Sequence, residues 1–184
     1  MTDKLERNPL VEIKPLSVAE SAAVEALLDA AFGTDRHGRT AYRMREGCVP
    51  IAELSFSAWD DGRLIGTLQS WPVAWVGADG TRVPLVMVGP VAVLPVLQRG
   101  GTGRALMDAM IFAADRPPDT SRAGAALMMI GDSEYYGRFW GFSAEATGGW
   151  EVPGPVERHR LLARAVLDAK APSGAGILLA DPAR

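Results

Sequence analysis

The sequence has 184 residues, of which 48% are hydrophobic and 22% are charged, so it is too apolar to be a disordered chain. We therefore expect a single domain over residues 1–184. A chain of this length buries about 70% of its unfolded surface, so neither disulfides nor a structural metal are needed for stability. The single cysteine, Cys48, cannot form an intrachain disulfide and favours a reducing compartment.

The charge composition argues against two classes of partner. There are 19 basic and 22 acidic residues, giving a net charge of -3, so we expect no bulk attraction to nucleic acid or to an anionic membrane. Residues 1–10 contain no apolar block of signal-peptide length, and the most apolar segment, residues 83–97, is interrupted by prolines. We therefore expect a cytoplasmic protein.

The first half of the chain predicts a strand, two helices and a meander of strands. Residues 11–16 alternate apolar and charged side chains as a half-buried strand does, and residues 17–20 match a capping box that predicts a helix start. Apolar residues then recur at helical spacing as far as Gly33, a C-terminal signal. Further elements are expected at residues 34–47 (a loop and a short helix), 53–59, 64–76 and 82–93 (three strands).

The second half predicts alternating helices and strands. The expected elements are a glycine-rich loop at residues 99–103, a helix ending at 114, a buried strand at 124–130, a helix at 133–140, and strands at 161–167 and 177–180. This order predicts a mixed α/β domain with an antiparallel first half followed by a βαβ unit.

The segment most informative about function is the loop from Gln98 to Arg104. It lies between an apolar strand and a helix start, where unpaired backbone N–H groups, the helix dipole and two flanking arginines attract an anion such as a pyrophosphate. The same glycines also suit a tight turn without a ligand. A dinucleotide fingerprint is excluded because Leu106 stands in place of the third glycine, and a Walker loop because the helix has no lysine.

Other common chemistries lack their residues. Ser143 follows Gly141, but Glu145 stands where a nucleophile elbow needs its second glycine. The two histidines, His37 and His159, are not at a metal-ligand spacing, so we expect no metal site.

Two patches of sequence carry a family resemblance. The first is Gln98-x-x-Gly101-x-Gly103, which follows an apolar strand, and the second is residues 127–132 followed by residues 135–142. Together they resemble the acetyl-CoA signature and the strand-plus-helix motif of the GCN5-related N-acetyltransferase (GNAT) family, in particular a bacterial subgroup of predicted N-acetyltransferases. The resemblance covers residues 10–142, whereas the tail, residues 143–184, matches loosely and is expected to complete the same domain.

The resemblance implies an acyl-CoA N-acyltransferase fold, with a mostly antiparallel sheet, one splayed pair of parallel strands, and helices on both faces. It implies that acetyl-CoA is the co-substrate and that a primary amine of a small molecule or protein attacks the thioester directly. Backbone N–H groups on the first splayed strand would hold the pantetheine and face the thioester oxygen. The implied acetyl-CoA-binding residues are Val91, Ala92, Val93, Gln98, Arg99, Gly100, Gly101, Thr102, Gly103 and Arg104.

A tyrosine hydroxyl would protonate the leaving thiolate in such an enzyme. The family places this tyrosine four residues before its final Gly-Phe pair, whereas Tyr136 stands five residues before Gly141, as though Trp140 were extra. Matching forward from Asp132 favours Tyr136, and Tyr135 is the second candidate. Because adjacent residues do not share a helix face, we expect one tyrosine to pack and the other to point into the cleft.

The general base stays open at this stage. Residues 85–94 contain no ionisable side chain, which leaves Asp132, Glu134, Glu53 or a chain of water molecules. Each of these carboxylates also suits a capping or surface role.

The acceptor site is also open. Arginines 36, 39, 43 and 45 suit either an anionic group of the acceptor or a solvated helix. Trp71 and Trp75 suit either the core or an aromatic acceptor pocket, and Cys48 suits a buried position.

Two functions follow from these observations. The leading hypothesis is an acetyl-CoA-dependent N-acetyltransferase, and the alternative is a non-catalytic acyl-CoA-binding or sensing domain of the same fold. The alternative is kept because the strand base of some family members is missing. Whether the chain forms a homodimer is left open.

Overall fold

A mixed sheet of eight strands dominates the computed structural model, which describes residues 11–98, 100–116 and 125–183. The strands are β1 (Glu12–Pro15), β2 (Phe56–Asp60), β3 (Arg63–Gly77), β4 (Arg82–Val93), β5 (Ala126–Ile130), β6 (Trp150–Glu151), β7 (Leu161–Arg164) and β8 (Gly176–Ala180). The helices are α1 (Ser21–Phe32), α2 (Thr40–Arg43), α3 (Thr102–Ala114) and α4 (Ser133–Trp140). Short 3-10 turns occupy Leu16–Val18, Thr34–Gly38, Ala52–Leu54, Pro95–Leu97 and Arg158–Arg160.

The sheet is antiparallel at its start and contains a βαβ unit at its centre, as the sequence predicts. The strand order is β1-β2-β3-β4-β5-β7, and β4 and β5 are parallel because α3 connects them. The long strand β3 also pairs with β8 over residues 73–77, and the two-residue strand β6 runs parallel to β8.

Helices cover both faces of the sheet, because side chains alternate between the faces along each strand. Leu106, Met107 and Met110 of α3 pack with one set of strand residues, which includes Val86 and Val88. Leu85 and Met87 belong to a second cluster with Met44, Trp71 and Trp150. Helix α1 packs through Val24, Leu27 and Leu28 against Ala92.

The clearest differences from the sequence-based expectation are three boundaries and one strand. Helix α1 begins at Ser21, not near Ser17, because the predicted capping-box residues form a 3-10 turn with no side-chain cap. A 3-10 turn also replaces the start of the strand expected at residues 53–59. Strand β7 ends at Arg164 and not at residue 167, where Leu167 has a positive φ. The sequence does not predict β6, because a strand of two residues carries no periodicity.

Among the described residues, no helix is both long and apolar enough to cross a bilayer. The same residues contain no group of three or more His, Cys, Asp or Glu side chains placed to hold a metal ion.

Candidate active site

The parallel strands β4 and β5 separate part-way along their length. Their paired positions run from Leu85 opposite Ala126 to Met87 opposite Met128, and there the pairing ends. Strand β4 continues to Val93 and pairs only with β3. Pro90 lies at this point and has no N–H to donate, and Gly89 has a φ of +123°, a conformation that favours glycine. One edge of β4 is therefore open, as expected for a splayed pair.

The open edge of β4 presents two backbone N–H groups. The N–H of Leu94 donates to the carbonyl of Ile65 on β3 at 2.9 Å. Since N–H directions alternate along a strand, the N–H of Ala92 also points to β3, and those of Val91 and Val93 point to the open edge. Of the three strand positions expected to hold acetyl-CoA, the structure brings Val91 and Val93 to this edge, and it buries Ala92 under α1.

A first cavity of about 460 Å³ lies beside this edge, and we call it the loop cavity. It is lined by Val91, Val93, Gln98, Gly101, Gly103, Arg104, Met107, Tyr135, Tyr136 and Phe139. Four residues of the predicted anion-binding loop thus reach one cavity, together with both candidate tyrosines. Gly100 and buried Thr102 adjoin it along the chain, and Arg99 lies outside the described residues.

The loop cavity has the groups that a pyrophosphate requires. The first hydrogen bond of α3 joins the N–H of Ala105 to the carbonyl of Gly101 at 3.0 Å, so the N–H groups of residues 102–104 have no partner within the helix. The helix has no side-chain cap and no acidic residue in its first turn. Gly101 has a φ of +80° and no atom near its missing Cβ, so the backbone stays accessible. The residues present therefore fit an anionic ligand.

A second and larger cavity of about 920 Å³ lies on the other side of the tyrosines, and we call it the arginine cavity. Its walls come from the segment around α2, the separating ends of β4 and β5, the start of α4, and residues 155–160. Val91, Tyr135 and Tyr136 line both cavities and form the shared wall between them. The two cavities are therefore neighbours along this wall.

Tyr136 lies half-buried in the first turn of α4, against the end of β5. A Cβ at Gly131 would stand 2.7 Å from its ring, so only glycine lets the ring lie there. Burial raises the pKa of Tyr136 to about 12, with smaller contributions from Tyr135 and Asp132 and an opposing one from Arg160. The hydroxyl makes no hydrogen bond to any other described residue. It is thus a neutral phenol with its proton available.

Tyr135 occupies the same wall in a more open position. Its side chain is 40% exposed and makes edge-to-face contacts with the rings of Tyr136, Phe139 and Trp140. The sequence predicts that only one tyrosine faces the cleft, whereas in the structure both line the two cavities. Trp140 is the last residue of α4, is buried, and donates from Nε1 to Asp108 at 2.8 Å.

Comparison with known proteins agrees with this architecture. Residues 12–140 match the model of the acetyltransferase (GNAT) domain. The chain belongs to the GNAT family. No curated protein matches the sequence.

Two solved GNAT structures illustrate the shared fold. One is the N-acetyltransferase YhbS from Escherichia coli in complex with CoA, with 22% identity, a TM-score of 0.63, and coverage of 96% of this chain and 92% of that one. The other is a GNAT family acetyltransferase from Brucella melitensis in complex with acetyl-CoA, with 21% identity, a TM-score of 0.59, and coverage of 90% and 94%. At this identity the likeness shows the fold.

The three carboxylates considered as general base occupy different places in this GNAT domain. Asp132 is the N-cap of α4, where its Oδ1 accepts from the backbone N–H of Tyr135 at 2.7 Å, and it also lines the arginine cavity. Glu134 and Glu53 line neither of the two cavities. Asp132 is thus the only one of the three near the shared wall, and one of its oxygens already serves the helix.

The arginine-rich segment is not a solvated helix throughout. Arg36 is 1% exposed, and its guanidinium donates to Asp29 at 2.8 Å and also to Glu25 and Tyr42. Burial lowers the pKa of Arg36, but these hydrogen bonds outweigh burial and raise it overall. Arg45 is also buried, whereas Arg39 and Arg43 are exposed.

The remaining candidate residues, one cysteine and two tryptophans, have structural roles. Cys48 donates from Sγ to the carbonyl of Pro72 at 3.4 Å, and burial raises the pKa of its thiol, which does not suit a nucleophile. Trp71 and Trp75 belong to the core, and neither lines the two cavities. Sequence reasoning missed Tyr42 and Arg160, which line the arginine cavity. No local motif marks these two residues, because long-range contacts bring them to the site.

Proposed function

We propose that this GNAT domain is an N-acetyltransferase that transfers the acetyl group of acetyl-CoA directly to a primary amine. The observation that carries the proposal is the pair of cavities that meet at Val91, Tyr135 and Tyr136. The loop cavity offers donors for the pyrophosphate and for the thioester oxygen, and the arginine cavity offers a separate space for the acceptor. CoA and acetyl-CoA in the two similar crystal structures support the choice of donor.

The open edge of β4 has two roles in this proposal. The N–H groups of Val91 and Val93 hold the pantetheine arm and donate to the thioester oxygen as negative charge develops there. Gln98, Gly101, Gly103 and the free N–H groups at the start of α3 hold the pyrophosphate, and Arg104 adds positive charge.

The chemical step joins the two cavities at the shared wall. The neutral amine attacks the thioester carbon, so that a C–N bond forms and the C–S bond breaks with its electron pair leaving on sulfur. The amine loses one proton to solvent, the hydroxyl of Tyr136 gives one proton to the thiolate as the C–S bond breaks, and solvent returns a proton to the tyrosinate. A phenol with a pKa of about 12 is protonated at neutral pH, so its proton is in place, although burial makes it a weaker acid than a free tyrosine.

A screen for thiol release tests this function. The protein is incubated with acetyl-CoA and with pools of small amines, amino acids and peptides, and free CoA is measured. We expect at least one pool to raise CoA release above the rate without amine. Stabilisation by acetyl-CoA with no amine-dependent release from any pool would instead support the acyl-CoA-binding alternative.

A further inference from the structure

Arg45 is a buried cation in the arginine cavity and has no carboxylate partner in the part of the chain that the structure describes. Its side chain is 7% exposed, it lines the cavity, and no carboxylate oxygen of the described residues lies within 4 Å of it. Arg36, by contrast, is paired with Asp29 and Glu25. Burial lowers the pKa of Arg45, and its interactions with Tyr42 and the more distant Glu25 only partly oppose this shift. A ligand anion would supply the missing partner.

Two aromatic rings set the direction from which that anion can approach. The Cζ atom of Arg45 lies 3.9 Å from the ring centroid of Tyr42 and 4.1 Å from that of Trp71. The N–H groups of a planar guanidinium lie around its rim, so rings over its faces leave the rim for hydrogen bonding. One rim atom, Nη1, donates to Gln69 at 3.4 Å. The hydroxyl of Tyr42 is a second polar neighbour of the guanidinium, and the anion would bind to the part of the rim that faces the cavity.

The two aromatic rings that contact Arg45 are themselves held by hydrogen bonds. Trp71 donates from Nε1 to the carbonyl of Gly89 at 2.9 Å, at the point where β4 separates from β5. Tyr42 receives a hydrogen bond from buried Arg36. The guanidinium is therefore preorganised, so little conformational entropy is lost when a ligand binds to it.

The rest of the cavity indicates what the anion is attached to. Asp132 stands at the shared wall beside the tyrosines, where negative charge suits an arriving amine. Apolar side chains also line the cavity, namely those of Met87, Val88, Pro90, Met129 and Ile130. A volume of about 920 Å³ lies within the ordinary range for small-molecule sites.

We infer, building on the proposed acetyl transfer, that the acceptor is a small amino acid-like molecule whose carboxylate binds Arg45 and whose amine reaches the shared wall. A carboxylate is preferred over a phosphate because of its charge. Both anions can form two parallel hydrogen bonds with a guanidinium, but a single negative charge balances Arg45, the one buried cation without a carboxylate partner among the described residues. A doubly charged phosphate would bring more negative charge toward Asp132.

The first test compares acceptors that differ only in charge. A series of α- and ω-amino acids with increasing spacer length is assayed against the matching carboxamides, with O-phosphoethanolamine as the phosphate probe. We expect the best carboxylate to exceed its amide in kcat/KM by about 10- to 100-fold, the range for a hydrogen bond to a charged group. Equal use of amides, or preference for the phosphate, would overturn the inference.

The second test assigns the effect to Arg45. Arg45→Gln should abolish the carboxylate preference by raising the KM of the acceptor, with acetyl-CoA affinity retained. Arg45→Lys should keep part of it. The matched control is Arg43→Gln, because Arg43 is exposed, donates to the carbonyl of Pro153 at 3.3 Å, and does not line the cavity. An equal loss of preference in the Arg43 variant, or no loss in either Arg45 variant, would contradict the assignment.

A binding measurement separates this inference from the proposed function. Butyrate and hexanoate carry no amine, so thermal stabilisation by them, compared with their amides, needs no turnover. We expect the carboxylates to stabilise the wild type and Arg43→Gln, and not to stabilise Arg45→Gln. Should Arg45→Gln not fold, the stabilisation of Arg45→Lys should be smaller than that of the wild type. Failure of carboxylates to stabilise the wild type refutes the inference even where acetyl transfer occurs. Stabilisation without acetyl transfer to any amine would refute the proposed function alone.

Discussion

Replacing Tyr136 with phenylalanine removes one oxygen and leaves the ring in place. The ring packs beside Gly131 and contacts Trp140 and Phe142, and all of these contacts are available to phenylalanine. The hydroxyl has no hydrogen-bond partner among the described residues, so its loss leaves no buried acceptor unpaired. We therefore expect the free energy of unfolding to change by less than about 1 kcal/mol.

The effect on catalysis should be much larger than the effect on stability. General acid catalysis contributes about 10²- to 10⁴-fold, and the lower limit applies where solvent can also protonate a thiolate. We expect kcat to fall by about 10²-fold, equivalent to about 2.7 kcal/mol of lost transition-state stabilisation. The affinity for acetyl-CoA should hardly change, because charge develops on sulfur only as the bond breaks.

The assay measures steady-state CoA release and acetyl-CoA affinity for the variant and for the matched control, Tyr135→Phe. Tyr135 is 40% exposed, and its backbone hydrogen bond to Asp132 survives the substitution, so the control should lose little activity. A larger loss in the control would make Tyr135 the proton donor. Mild effects in both variants would refute the assignment of a tyrosine as the acid.

The remaining predictions concern the anion site, the α4 cap, the fit of the tyrosine ring and the response to pH. Gly101→Val should weaken acetyl-CoA binding at least about 10-fold by calorimetry, because a β-branched residue resists a φ of +80° and covers the free N–H groups. Asp132→Asn should keep the cap and most of kcat, with a higher acceptor KM because the negative charge beside the amine is lost, whereas Asp132→Ala should lose about 1 kcal/mol in urea unfolding. A loss of kcat by about 10²-fold in the Asn variant would instead make Asp132 the base. Gly131→Ala should lower kcat with unchanged acetyl-CoA affinity, because its Cβ would displace the ring of Tyr136. A normal kcat in this variant would show that catalysis does not depend on the position of that ring. The raised pKa of Tyr136 contributes stability that is complete below about pH 10 and is lost as the pH rises toward 12. The free energy of unfolding of the wild type should therefore fall by up to roughly 3 kcal/mol over that window, and that of Tyr136→Phe should fall by less; equal losses would contradict the burial of this phenol.

Much of the fold could be predicted because the decisive signals are local. The bounds of β4 and α4 agree with the sequence pattern, since a run of apolar residues, an Asp cap and Gly141 mark their limits. The start of α1 could not be placed, because the capping-box pattern does not report whether the chain turns first as a 3-10 helix. Strand β6 exists only through its pairing with β8, which no local pattern encodes.

Part of the candidate site could likewise be predicted from local sequence, and part of it could not. The glycine loop and the tyrosines lie in contiguous motifs, so their positions could be predicted from spacing. Whether an arginine is buried depends on partners far along the chain: Gln69 and Trp71 surround Arg45, and helix α1 supplies Asp29 and Glu25 to Arg36. Composition alone therefore could not separate these two from exposed Arg39 and Arg43.

Following the acetyl group tests the central claim most directly. The protein is given acetyl-CoA labelled in its acetyl carbons together with the best amine from the screen, and the label is located by mass spectrometry. Direct transfer predicts N-acetylated amine and free CoA in equal amounts, with no label retained on the protein. Label on the protein, label released only as acetate, or no movement of label in the presence of any amine would contradict the account.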